Sequence, residues 1–99
     1  MIPNSTIVTA IKEKKCLSFM YDGYSRVVEP HCYGIITADH HAIVGYQIRG
    51  LGVHNSNEHW HLFVLTKISN LQLLDETFPK PRDGYKKGDK RMNTIFCEL

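Results

Sequence analysis

The sequence is short of everything that would carry the chain into or across a membrane. No stretch of its 99 residues nears the ~18 consecutive apolar side chains of a spanning helix, and residues 1–6 lack the basic and apolar regions of a secretory signal. Cysteine is scarce. Cys16, Cys32 and Cys97 are an odd number without close spacing, which argues against a disulfide framework and for reduced, small apolar residues in a cytoplasmic protein. Catalytic signatures are missing as well. The sequence holds no G-x-S-x-G elbow, no phosphate-binding glycine loop, no H-E-x-x-H and no C-x-x-C, so no catalytic residue and no cofactor is assigned.

What is present is ordinary for a single globular domain: 42% hydrophobic and 22% charged residues, with a formal net charge of +2. Such a chain is long enough to bury a core without metal or disulfide. The charge is unevenly placed. Lys80, Arg82, Lys86, Lys87, Lys90 and Arg91 crowd one segment with only Asp83 and Asp89 among them, leaving the rest slightly acidic. A stretch of this kind is either a solvated tail or a surface for nucleic acid or another anion. The six histidines are many for this length, and His59 and His61 would share one face of a strand. A zinc site needs three or four converging ligands, however, and no metal site is assigned.

Along the chain, Ile7, Ala10 and Ile11 follow helical spacing, which predicts a short helix over residues 5–14 capped by Asn4, Ser5 or Thr6. Residues 16–21 alternate as a strand, and Asp22-Gly23 turns it into a second arm, residues 26–37. Pro30 inside that arm marks an edge, a bulge or a break. A turn at Ala38-Asp39-His40 leads to a strand over 41–49, with Ala42, Val44, Tyr46 and Ile48 on the inner face and His41, Gln47 and Arg49 on the other. A polar loop over 50–58, a strand over 59–66 and a short strand or extended turn over 70–74 follow. One helix and about five strands predict a mainly β fold, a small and strongly bent antiparallel barrel over residues 1–78. Residues 79–99 form a basic, irregular extension whose Met92, Ile95, Phe96 and Leu99 pack back on the same domain.

From Arg26 to Phe78 the chain carries an ordered pattern. Arg26 and Pro30 lie in the second strand, His41-Ala42-Ile43 opens the third with Tyr46 behind it, and Phe63, Leu65, Lys67 and Ile68 form a later block. In this order they resemble the WYL domain, a ligand-sensing module found mostly in bacterial transcription regulators. His41-Ala42-Ile43 stands where that family has Trp-Tyr-Leu, so only the aliphatic third position is kept. Lys67 replaces an arginine, keeping the charge but losing the planar fork that grips phosphate or carboxylate. The resemblance implies an SH3-like or Sm-like barrel that receives negatively charged ligands, nucleotides and nucleic acid among them. A helix-turn-helix domain precedes the module in full-length members. Here one short helix precedes the first strand, so promoter regulation by this chain alone is not expected.

Residue chemistry and the resemblance together nominate a ligand set of Arg26, His41, Tyr46, Arg49, His61 and Lys67. The three cations would form an anion pocket, with Tyr46 and His61 as flanking donors or stacking surfaces. The expected partner is an anionic ligand, a nucleotide or a single-stranded nucleic acid, without catalysis and without a membrane. The rival reading is a protein-interaction or self-association module of SH3-like type, giving a homo-oligomer. A small metal- or thiol-dependent enzyme is a third reading.

Overall fold

Helix α1 (Ser5–Glu13) forms where the spacing of its apolar residues predicts it, burying Ile7, Ala10 and Ile11. The Asn4 side chain accepts the N–H of Ile7 at 3.2 Å, and Lys14, with φ 52°, turns the chain out of the helix. The computed structural model describes residues 2–50 and 59–99; the expected loop over 50–58 lies, Gly50 apart, outside the described residues. Six strands follow the helix: β1 (Lys15–Tyr21), β2 (Tyr24–Ile35), β3 (His41–Gly50), β4 (Trp60–Val64), β5 (Ile68–Thr77) and β6 (Thr94–Glu98). Every pairing is antiparallel, in the order β4-β3-β2-β1-β5 with β6 also on β2. The fold is therefore mainly β. Asp22 and Gly23, at φ 50° and 82°, make the tight β1–β2 turn expected of that dipeptide.

The path's two outer strands, β4 and β5, are consecutive in sequence, joined by a 3-residue 3-10 turn at Leu65–Lys67. The sheet must curl for them to meet. Beside the junction, the Val64 N–H donates to the Tyr21 hydroxyl at 3.2 Å, and Tyr21 pairs with Ile68. No ladder joins β4 to β5 among the described residues, so the sheet is bent and open.

Strand β2 organises the rest. β3 runs along one side of it, from Arg26↔Gly50 to Ile35↔His41. On its other side β1 covers the first half, up to Leu17↔Val28, and β6 covers the second, from Cys32↔Glu98 to Ile35↔Thr94. Pro30, which has no N–H to offer, falls in the gap between those partners, and the register shifts there by one residue. Of the three alternatives the sequence leaves for Pro30, the structure takes the bulge.

The C-terminal segment is less irregular than its prolines and glycines suggest. Residues 94–98 form β6 because β1 leaves half of β2 uncovered. β5 is also longer than the predicted 70–74, running through Ile68–Thr77 with register shifts that accommodate Asn70 at φ 53°. One side of the sheet packs Leu17, Phe19, Val28, Tyr33, Ile43 and Phe63 under α1. On the other, Cys32, Ala42 and Val44 are covered by Met92 and Ile95 of the C-terminal segment. Among the described residues no helix is long and apolar enough to cross a membrane.

Candidate functional site

At the bulge at Pro30-His31 the Glu29 and His31 carbonyls accept bonds from groups outside β2 and from the His31 ring, and these bonds build the site. His31 is fully buried, and its Nδ1 lies 2.8 Å from the Glu29 carbonyl. A carbonyl only accepts, so Nδ1 carries the proton. Its Nε2 is then an acceptor, and it receives the backbone N–H of Arg82 at 3.0 Å. The His31 carbonyl in turn accepts from the Tyr85 hydroxyl (3.2 Å) and from the Leu99 N–H (2.9 Å). One bulged residue thus ties down a strap, residues 78–93, that crosses the outer face of the sheet.

The strap has three further anchors. Arg82 grips the Glu29 carboxylate with Nε–Oε1 at 2.7 Å and Nη2–Oε2 at 3.1 Å. Its guanidinium lies 4.6 Å from the centre of the Tyr46 ring. Phe78 stacks on His31 at 5.6 Å and 18°, and Met92 plugs the outer cluster. Gly84 takes φ 91°, a conformation that favours glycine, where the strap passes Trp60.

Between the strap and strands β3 and β4 opens a cleft of about 410 Å³, within the size range of small-ligand sites. Val44 and Trp60 form its floor, and Tyr85, Lys86, Lys87 and Lys90 form its wall. The Trp60 and Tyr85 rings are nearly parallel, 6.2 Å apart at 20°. Burial pushes the Tyr85 hydroxyl up to about 12, so it stays a donor at neutral pH. Arg91 is held by Asp89 through paired hydrogen bonds of 3.0 and 2.7 Å. Lys86, Lys87 and Lys90 meet no carboxylate among the described residues. The cleft is thus lined by three lysines without carboxylate partners among the described residues and by aromatic side chains, together with Asp89, whose carboxylate is taken by Arg91.

Of the six residues nominated from sequence, the structure brings only some near this cleft. His61 lines it. Tyr46 stands beside it, in edge contact with Trp60 at 5.5 Å and carrying Arg82. His41 lies at the far end of β3, 2.6 Å from the hydroxyl of Tyr33, which accepts the Asn4 N–H at 2.9 Å; it helps pin α1. Lys67 is exposed at the end of the 3-10 turn.

The expected convergence of Arg26 with Arg49 is not seen. Between Val27↔Arg49 and Val28↔Gln47, β3 carries one extra residue, and that bulge rotates Arg49 off the face of Gln47. Arg49 lies outside, bound to Glu76 at 2.6 and 3.1 Å. Arg26 lies inside at 5% exposure, its guanidinium 5.2 Å from the Tyr21 ring and 5.7 Å from Phe63. Its Nη1 reaches Gln47 at 3.4 Å, while its Nε has no acceptor among the described residues. A desolvated cation without an ion pair among the described residues adds little stability, so Arg26→Met should change the unfolding free energy by less than about 1 kcal/mol or raise it. A loss of several kcal/mol in chemical denaturation would show that the charge has an anionic partner.

Other chemistries find less support. Burial pushes the Cys16 thiol up to about 11 and Cys32 up to about 12, and it raises Cys97 too. None is poised as a thiolate nucleophile. Among the described residues no three His, Cys, Asp or Glu side chains converge on a metal position. Comparison with protein-family models, with curated proteins and with solved structures found no match.

The basic segment was visible in the sequence as a charge run. Its partners were not, because Arg82 meets Glu29 and His31 across gaps of 53 and 51 residues.

Proposed function

We propose that this chain is a non-catalytic binding module for an anionic ligand carrying an aromatic ring, a nucleotide or a single-stranded nucleic acid, held in the cleft between the strap and β3–β4. The observation that carries this reading is the set Lys86, Lys87 and Lys90, without carboxylate partners among the described residues, facing the cleft beside Trp60 and Tyr85. Phosphate oxygens would take the ammonium groups, and a base would lie against the aromatic rings. The resemblance to ligand-sensing WYL modules supports the same ligand class. The bent sheet, whose outer strands meet across one short turn, fits a small SH3-like or Sm-like barrel. The cleft itself is made largely by residues beyond those that carry the resemblance.

Fluorescence anisotropy of labelled single-stranded DNA and RNA, with ATP as unlabelled competitor, tests this at two salt concentrations. Lys86→Ala/Lys87→Ala/Lys90→Ala should weaken binding by about tenfold or more and flatten the salt slope by roughly 0.7 for each phosphate no longer neutralised. Arg49→Ala should bind like wild type, because Arg49 is already held by Glu76 on another part of the surface. Unchanged affinity in the triple-lysine variant would remove the cleft from consideration.

A second reading, self-association, is favoured by one observation. β5 is a 10-residue strand at the edge of the sheet with Leu73 38% exposed, and such edges pair with other chains. A molecular mass that rises with concentration, with no anion binding, would select it.

A further inference from the structure

We infer that His31 is an acid-sensitive latch: a proton on its Nε2 releases the basic strap and abolishes the cleft's hold on anions. This rests on the cleft being the anion site.

The inference comes from the hydrogen-bond polarity around the ring. Nδ1–H is committed to the Glu29 carbonyl at 2.8 Å, and Nε2 accepts the Arg82 N–H at 3.0 Å. Only the neutral imidazole satisfies both contacts. A proton at Nε2 sets one N–H against another and breaks the strap's direct hold on the bulge. The ring is also the packing centre of the site, touching Trp60 at 4.8 Å, Tyr85 at 5.1 Å and Phe78 at 5.6 Å. Trp60 and Tyr85 are the aromatic faces of the cleft, so moving the strap takes apart the surface that would receive a base.

The groups facing the ring decide the direction. From β2 itself, the Glu29 carbonyl and carboxylate favour the proton. From the strap, the Arg82 cation opposes it, while Tyr85 stays neutral; from β4 the uncharged Trp60 ring meets it. Burial outweighs the rest and holds His31 below the usual imidazole value. The folded protein thus takes the proton less readily than the unfolded chain. The stabilisation is fully present above the ordinary histidine value of about 6.5 and is lost as pH falls below it, through the lower folded value.

Simple electrostatics makes the opposite prediction, which gives the test its power. Acid charges histidines, adds positive charge to the surface, and should tighten the binding of any anion. The latch makes binding weaker in acid.

The experiment compares wild type with His31→Gln, whose amide can donate to the Glu29 carbonyl and accept from Arg82 without titrating. Hydrogen exchange of the 80–91 segment, corrected for its intrinsic pH dependence, is read at about pH 7.5 and about pH 5. Binding of a labelled single-stranded oligothymidylate is read beside it. The expected result is that wild type, on acidification, loses strap protection and about tenfold in affinity, while His31→Gln keeps both. Equal strap protection at both pH values in wild type overturns the latch, as does the same loss in His31→Gln. Strap opening in wild type alone, with no oligonucleotide bound at either pH, supports the latch and overturns the cleft as an anion site. Should His31→Gln fail to fold, NMR of wild type decides. A shared midpoint for the His31 ring nitrogens and the Arg82 amide supports the latch, and separate midpoints overturn it.

Discussion

Arg82→Ala is expected to destabilise the protein by about 2–4 kcal/mol in chemical denaturation, as breaking one side of a buried ion pair does. Glu29 is 4% exposed, and both its oxygens are taken by Arg82 at 2.7 and 3.1 Å. Without the guanidinium a desolvated carboxylate is stranded beneath the strap, and the Tyr46 ring is left without its cation as well. The Arg82 side chain is 45% exposed, so water relieves part of the cost and the top of the range is not expected. Arg82→Lys should rescue little, because an ammonium cannot repeat the two-point grip or the planar stack. Arg82→Ala/Glu29→Gln should recover much of the loss, since the amide removes the stranded charge. If Arg82→Ala proves as mild as Arg49→Ala, which breaks an exposed pair, then the strap is not anchored by Glu29.

The second large effect comes from the smallest residue. A Cβ on Gly34 would lie 2.1 Å from the Thr94 carbonyl oxygen and 3.1 Å from the Ile95 Cα. Those atoms are backbone of the neighbouring strand and cannot turn aside as a side-chain tip can. Gly34→Ala must therefore push β6 away from β2, at a cost of about 3 kcal/mol or more. The damage should spread to the cleft. β6 carries Glu98, whose carboxylate accepts the Gly88 N–H at 3.1 Å, and Leu99 reaches the His31 carbonyl just beyond it. Gly88→Ala is the control. It has open space around the added methyl but φ 72°, so it should cost only the left-handed penalty of about 1–2 kcal/mol. Urea unfolding of the two variants side by side checks this, and a Gly34→Ala loss no larger than that of Gly88→Ala would contradict the close approach of β6.

These effects mark where the sequence could be read and where it could not. Local signals were sufficient for α1, for the Asp22-Gly23 hairpin and for the alternation in β1, because each depends on residues within a few positions of one another. In β3 the main core takes Ile43, while Ala42 and Val44, expected on the inner face, lie under the C-terminal segment, and Gln47, expected outside, is buried. Face assignments failed where one inserted residue changed the parity. Extrapolating the period of two from Gln47 to Arg49 puts both on one face, but the bulge between them separates them. The same uncertainty surrounded Pro30, which announced an irregularity without saying that His31 would become its centre. β6 was hidden because five residues of mixed polarity are a weak strand signal. Its pairing is set by what β1 leaves uncovered on β2, a tertiary fact.

The candidate site follows the same rule. Arg26 and Arg49 looked like a pair because both sit near strand ends, yet the sheet puts aromatic rings around one and a carboxylate against the other. The charge run over 80–91 looked like a tail because nothing in its own composition demands burial. What makes it a wall is a set of long-range contacts to Glu29, His31 and Trp60. Two of its cations are spent on carboxylates, which is why the lysines, and not the arginines, are without carboxylate partners among the described residues.

The most direct measurement is a nitrogen-15 NMR titration of the whole chain with a short single-stranded oligonucleotide at low salt. The cleft predicts shifts at the amides of Gly84, Tyr85, Lys86, Lys87 and Lys90 and at the indole N–H of Trp60, the single tryptophan, growing with ligand and receding with salt. Shifts confined to Tyr21, Arg26, Gln47 and Lys67, with the strap silent, would contradict the account and return the anion site to the inner face of the sheet.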